Sequence, residues 1–215
     1  MSKKTLAIEL STLEGFYEPK VSEEQYMTDS EIAADILWKA YILGDIYMKG
    51  VVDIGCGTGI LGIGAGMLGA KKIWLIDKDN NAMDTTKKNI SKMKSESLFK
   101  NMSKVKWIYI IKDINNAGDV NIKNDEVDTV IQNPPFGTKK RHNDVIFLEK
   151  AAEISNVVYS MHKSETIDYI KKKIVEFGLK LTHVWEYNMP LKNTYSFHSR
   201  KIKRIKVSVI RCERA

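Results

Sequence analysis

Asn133, Pro134, Pro135 and Phe136, in the stretch "VIQNPPFGTKK", place an amide, two rigid rings and an aromatic face side by side. An amine conjugated to an aromatic ring is a poor nucleophile, because its lone pair is delocalised. Two acceptors on its N–H groups draw the nitrogen toward tetrahedral geometry and free that lone pair. The Asn133 side-chain oxygen and the Pro134 carbonyl can supply them, on a turn that the prolines keep stiff, so positioning costs little entropy. Phe136, read as exposed, offers a face on which a flipped base can stack, worth on the order of 1–3 kcal/mol. That offsets part of the few kcal/mol needed to unstack the base.

A second set of residues precedes this turn. In "VVDIGCGTGILG", Gly55, Gly57 and Gly59 let the backbone turn sharply and approach a ligand closely. The helix that follows presents its N-terminus to a negative group. Asp77 ends the next strand at the spacing of an acid that grips a ribose diol, and Asp113 ends the one after it. "GTGILG" also matches the dinucleotide fingerprint, but the turn begins at Gly55 and the last of those glycines falls inside the helix. Asp53 decides between cofactors. A carboxylate beneath the turn repels a pyrophosphate but suits an ammonium or a sulfonium, so S-adenosylmethionine is preferred to NAD. An amine that accepts its methyl group becomes cationic and loses a proton to water, so no general base is required.

These residues need elements to hold them. "DSEIAADILWKAYILGDI" has helical apolar spacing, with Thr28 as its expected cap and Glu31 completing a capping box. "VVDIG", "KKIWLID", "VKWIYIIKD", "EVDTVIQN" and "NVVYSMHK" read as strands, and the segments between them as helices. "LKLTHVWEYN" and "KRIKVSVIRC" follow as two closing strands with no helix between them. Strands alternating with helices imply a mostly parallel sheet covered on both faces. The expected fold is therefore a doubly wound, Rossmann-like α/β domain of about seven strands with an antiparallel closing element. One domain over 1–215 is expected, with 1–45 an N-terminal extension and capping helix and 50–215 the α/β core.

Composition narrows the function classes. The 215 residues hold 43% hydrophobic residues, enough for a core, but no apolar run long enough to span a bilayer. The N-terminus lacks an export signal, and Cys56 and Cys212 cannot form a disulfide scaffold, so a reducing cytoplasm is expected. His142, His162, His183 and His198 lack ligand spacing, so no metal site is expected, and His162 reads as a structural histidine. The net charge of +7 is concentrated in "RKIKRIK" and "GTKKR". That placement suggests a polyanion held by Lys139, Lys140, Arg141, Arg200 and Lys201, with Phe197 nearby.

Together the motifs resemble the class I methyltransferases, and among them the methyltransferase-like-5 family of ribosomal-RNA adenine-N6 methyltransferases. The segments that carry the resemblance are "LEGFYEPK", "EEQYMT", "VVDIGCGTGILGIGAGMLGA", "LIDKD", "VIQNPPFGTK", "VVYSMHK" and "YSFH", from residue 13 to 198. The resemblance implies cofactor contacts by Gln25, Thr28, Gly55, Thr58, Ile60, Asp77, Asp113 and Ile114, and a target adenine held by Asn133 through Phe136. The sequence departs from the family at Met27, where proline is expected. The resemblance also implies an RNA substrate and a small zinc-binding activator subunit pairing with the edge strand at 105–111, where Trp107 reads as an outward position. The rivals are protein-glutamine methylation, DNA adenine methylation and an inactive RNA-binding subunit. The first two typically bring a recognition domain not visible here, and intact Asp53, Asp77, Asn133 and Phe136 speak against the third.

Overall fold

The computed structural model describes residues 1–20, 23–115, 122, 124–136, 143–191 and 203–215. Seven strands form one sheet: β1 (Gly50–Ile54), β2 (Lys72–Asp77), β3 (Lys106–Ile111), β4 (Thr129–Gln132), β5 (Val157–Lys163), β6 (Leu179–Leu191) and β7 (Lys203–Arg214). Their order is β3-β2-β1-β4-β5-β7-β6, parallel from β3 to β5. β7 runs antiparallel to both β5 and β6. β1 and β4 are buried at every position, which is why "GVVDI" and "TVIQ" do not alternate in polarity.

Among the described residues, six α-helices cover the sheet: α1 (Lys3–Ser11), α2 (Ser30–Ile42), α3 (Ile60–Met67), α4 (Asn80–Ser95), α5 (Asn143–Ile154) and α6 (Ile167–Glu176). α1 to α4 share one apolar cluster on one face, and α5 and α6 share a second on the other. α3 lies close to the sheet because it is built from small residues. A Cβ on Gly62 would come within 2.5 Å of the Leu75 side chain. α1 was not expected from the sequence. Its buried stripe is only Leu6, Ala7 and Leu10, too short for a periodicity signal, and it packs on α2 and α3.

α2 starts differently from the expectation. Its cap is Asp29, whose Oδ1 accepts from the Glu31 and Ile32 N–H groups at 3.1 and 3.3 Å. Thr28 is buried and turns elsewhere. Farther along, the buried Asp45 after α2 accepts from the Tyr159 hydroxyl at 2.6 Å and from Arg211 Nε at 2.8 Å, tying the N-terminal helices to β5 and β7. β1 lies between β2 and β4, so the loops after these strands meet where the strand order reverses, the usual ligand position in such sheets.

Candidate active site

A cavity of about 330 Å³ opens at the carboxyl ends of the parallel strands. It is lined by Gln25, Thr28, Asp53, Gly55, Thr58, Ile60, Asp77, Asp113, Ile114, Asn133 and Pro135, residues from five separate segments that the sequence reading singled out. Gly59, Pro134 and Phe136 are not on its wall. Gly59 caps α3 at φ 89°, facing Thr86. Lys139, Lys140, Arg141, Phe197, Arg200 and Lys201 lie outside the described residues, as do Tyr195, His142 and His198.

The glycine turn is strung between two carboxylates. The Gly55 and Cys56 N–H groups donate to the Ile76 carbonyl, so the turn leans on β2. At Gly57, φ is 55° and a Cβ would sit 2.7 Å from the Phe16 ring, so only glycine fits. Its N–H donates to Asp77 Oδ2 at 2.7 Å, while Asp77 Oδ1 accepts from the Asp79 N–H at 2.9 Å. Asp53 Oδ2 accepts from the Gly62 N–H at 2.8 Å, so this acid also anchors the first turn of α3. Burial pushes the Asp53 carboxyl up to about 7, against the pull of that N–H and with the Asp77 charge adding to it. Burial raises Asp77 too, opposed by the Asp79 and Gly57 N–H groups.

The N-terminal segment closes one side of the cavity and is fastened by Gln25 together with residues the sequence reading did not pick out. Gln25 Nε2 donates to Asp79 Oδ2 at 2.8 Å, and Gln25 Oε1 accepts from the Lys20 N–H at 2.9 Å, so this amide fastens the segment. Glu24 accepts from the Phe136 N–H at 2.5 Å. On α4, Thr86 donates to the Gly57 carbonyl at 2.8 Å, and Asn89 bonds the Thr58 and Glu14 carbonyls, both at 3.0 Å. Thr86 and Asn89 are polar residues in the otherwise apolar stripe of Met83, Ile90 and Met93, the one signal that could have revealed them.

The turn after β4 differs from expectation in one respect. Phe136 is only 9% exposed, with the Tyr26 ring 5.7 Å from it, so its ring is packed rather than free. Sequence could not show this, since Tyr26 is distant along the chain. Asn133 Nδ2 donates to Thr28 Oγ1 at 2.9 Å, and Asn133 Oδ1 is buried with no partner among the described residues. Beneath the turn, Gln132 donates to Ser160 Oγ at 2.9 Å, Ser160 bonds His162 at 2.8 Å, and His162 pairs with Asp144 at 2.9 Å. This Asp–His–Ser chain has the order of a nucleophilic relay, but Ser160 is fully buried and already bonded, so it is scaffold. His162 is thus a satisfied structural histidine, as expected. Among the described residues, no group of three or more His, Cys, Asp or Glu could hold a metal ion.

The family model for ribosomal protein L11 methyltransferase (PrmA) matches residues 44–133, which span the glycine turn and end at Asn133. The chain is 36% identical over 214 residues to the rRNA N(6)-adenosine-methyltransferase METTL5 of Danio rerio, covering 98% of each chain. It is 36% identical over 217 residues to an uncharacterized protein of Methanocaldococcus jannaschii, covering 100% of this chain and 95% of that one. A crystal structure of a Pyrococcus horikoshii protein superimposes with a TM-score of 0.84 at 39% identity, covering 99% of this chain and 98% of that one.

Proposed function

The chain belongs to the family of the rRNA N(6)-adenosine-methyltransferase METTL5, and on that footing we propose that it methylates the exocyclic N6 of an adenosine in structured RNA, namely small-subunit ribosomal RNA. The observation that carries this reading is the buried Oδ1 of Asn133 on the wall of the cavity, which has no partner among the described residues. An acceptor buried without a donor costs free energy unless a ligand supplies one. An amine N–H of the substrate is such a donor, with the Pro134 carbonyl as the second acceptor. The matching experiment incubates the full chain with S-adenosylmethionine and ribosomal RNA from a strain lacking the protein. One adenosine should gain a single N6-methyl group by mass mapping, and no methyl gain in RNA would overturn the reading. In this reading residues 1–215 act as one methyltransferase domain in the cytoplasm.

S-adenosylmethionine supplies the methyl group, and the cavity residues fit it. Asp53 is a buried carboxylate suited to a cationic centre, Asp77 to a ribose diol, and the start of α3 to a carboxylate. Gln25, Gly55, Thr58, Gly59, Ile60, Asp113 and Ile114 complete the binding set, with Gly59 acting through the turn, and Thr28 lends the cofactor packing alone because its hydroxyl already accepts from Asn133. Phe136 stacks the target base once the Tyr26 ring, now 5.7 Å from its own, swings aside while the backbone of the N-terminal segment stays in place. Lys139, Lys140, Arg141, Phe197, Arg200 and Lys201 hold the RNA backbone.

Asp53 makes cofactor affinity depend on pH. Its folded pKa is raised to about 7, so in the free protein its contribution to stability is present at low pH and lost as pH rises through about 7. A bound cation favours the carboxylate, so binding below that pH must release a proton. Affinity should therefore fall by up to roughly tenfold per pH unit below about pH 7 and level off above it. Calorimetry in buffers of different ionisation heats would count the released proton, and Asp53→Asn should flatten the profile. A flat profile in the unaltered protein would remove Asp53 from the cofactor's charge balance.

A small zinc-binding activator subunit is proposed to cover β3. β3 is an edge strand and carries no charge from Trp107 to Ile111, whereas the opposite edge strand β6 holds Lys180, Glu186 and Pro190, which discourage pairing. Trp107 is not an outward position, contrary to the expectation from sequence. Its ring packs where a Cβ on Gly66 would come within 2.7 Å, so a lysine there would injure the core. The outward residues are Tyr109 and Ile111, 37% and 49% exposed. Ile111→Lys should therefore abolish the gain in thermal stability that co-expression with the subunit brings by mass action, and leave the isolated chain folded. Equal stabilisation of the variant would place the partner elsewhere.

A further inference from the structure

We infer that Thr28 is a positioning residue that sets which end of the Asn133 amide faces the amine, an inference that rests on the proposed reading of the site. The oxygen and nitrogen of an asparagine amide have nearly the same shape, and the terminal torsion is broad and roughly two-fold. Asn133 can therefore be turned either way unless a neighbour chooses. Only one orientation is productive. With Oδ1 toward the cavity the amide accepts an N–H from the substrate, and with Nδ2 there it meets that N–H donor to donor.

Thr28 supports the productive orientation by giving the amide nitrogen an acceptor that an apolar neighbour would lack. Its Oγ1 accepts from Asn133 Nδ2 at 2.9 Å, and the opposite end, Oδ1, is left buried without a partner among the described residues. The reverse orientation would leave an NH₂ group where Oδ1 now stands, and unpaired buried donors are rarer than unpaired acceptors. Thr28 is 5% exposed, so its bond to the amide is shielded from water. Its backbone is fixed on both sides. It directly precedes Asp29, the cap of α2, and the segment before it is fastened by Gln25 to Asp79 and by Glu24 to the Phe136 N–H. Thr28 and Glu24 thus grip the two ends of the Asn133 to Phe136 turn from one segment. The hydroxyl that would have capped α2 is free for this because Asp29 has taken the capping role.

Thr28→Val keeps the shape and removes the acceptor, and Thr28→Ser keeps the acceptor. With the full chain, S-adenosylmethionine and ribosomal RNA, Thr28→Val should lower kcat by roughly tenfold to a hundredfold, as for a buried donor left unpaired. The cofactor Kd should stay within about twofold and Thr28→Ser should recover most of the rate. In an Asn133→Ala background, Thr28→Val should have no further effect on kcat, since there is no amide left to orient. A purely structural role would lower kcat in both backgrounds and would overturn the inference, as would an unchanged kcat in Thr28→Val. A raised cofactor Kd with kcat preserved would make Thr28 a cofactor contact and nothing more. Should Thr28→Val fail to fold, the comparison of Thr28→Ser with Thr28→Ala, in both backgrounds, decides the same question. If the unaltered chain methylates no adenosine, it is the functional reading that fails. In that case the side-chain amide resonances of ¹⁵N-labelled Asn133 still report whether Thr28 holds Nδ2, by a shift on Thr28→Val that Thr28→Ser reverses.

Discussion

Asn133→Ala is expected to slow methyl transfer by roughly 10²- to 10³-fold, the range found when one preorganised hydrogen-bonding group is removed from a transition state. The argument is differential. An aromatic amine is close to planar in the ground state and has little need of a second acceptor, but its N–H groups become more acidic as the nitrogen turns tetrahedral and cationic. An acceptor aimed at one of them is therefore worth most at the transition state, so the loss falls on kcat rather than on binding. Cofactor affinity should change little, because the proposed reading has the cofactor held chiefly by the glycine turn and by Asp53 and Asp77. Removing the amide should also cost little stability, because Oδ1 has no partner to lose and only the bond from Nδ2 to Thr28 is broken. Single-turnover rates beside cofactor titrations separate the two effects. Equal losses in rate and cofactor affinity would make Asn133 a structural residue of the turn.

The residues most legible in the sequence are those whose role depends on their position within one strand-turn unit. Asp53, Gly55, Thr58, Ile60, Asp77, Asp113, Ile114, Asn133 and Pro135 were assigned from local pattern and from the family resemblance, and all line the same cavity. The sheet supplies the physical reason. Once β1, β2, β3 and β4 are parallel neighbours, residues at their carboxyl ends must converge. The antiparallel ending was legible for a similar reason, since two strands without an intervening helix leave no crossover to make them parallel.

What the sequence concealed depends on contacts between distant segments. Thr28 reads as a helix cap because a threonine three residues before a glutamate fits a capping box, yet Asp29 lies one residue nearer the helix and its carboxylate accepts from the Glu31 and Ile32 N–H groups. Only the folded chain brings Thr28 to Asn133, 105 positions away. Phe136 reads as exposed because a proline turn usually is, and Tyr26 covers it from 110 positions upstream. Trp107 reads as outward by strand alternation, but α3 is thin enough at Gly66 for the indole to pack against it. In each case the local preference was correct in kind and was overridden by a tertiary contact that no short window contains.

Asp77→Ala is the second large effect, and it should fall on cofactor binding. Loss of charge-assisted bonds to a ribose diol should weaken S-adenosylmethionine by on the order of 1.5–3 kcal/mol, roughly tenfold to a hundredfold in Kd. A competing explanation is collapse of the glycine turn, since Asp77 Oδ2 holds the Gly57 N–H at 2.7 Å and Oδ1 holds the Asp79 N–H at 2.9 Å. The raised pKa of Asp77 argues for a modest stability change. Burial makes its charge unfavourable in the folded protein, so the protonated carboxyl lends stability at low pH that is lost as pH rises through its elevated pKa. Above that pKa its removal therefore relieves a desolvated charge while it forfeits two N–H bonds, and these effects oppose each other. The turn also keeps supports of its own, the Gly55 and Cys56 N–H bonds to Ile76 and the Thr86 bond to the Gly57 carbonyl. Affinity should thus fall tenfold or more by calorimetry while the thermal midpoint of the cofactor-free protein moves by only a few degrees, equivalent to about 1 kcal/mol. A large drop in the midpoint would assign Asp77 to the turn's architecture, and an unchanged Kd would reduce it to the last residue of β2.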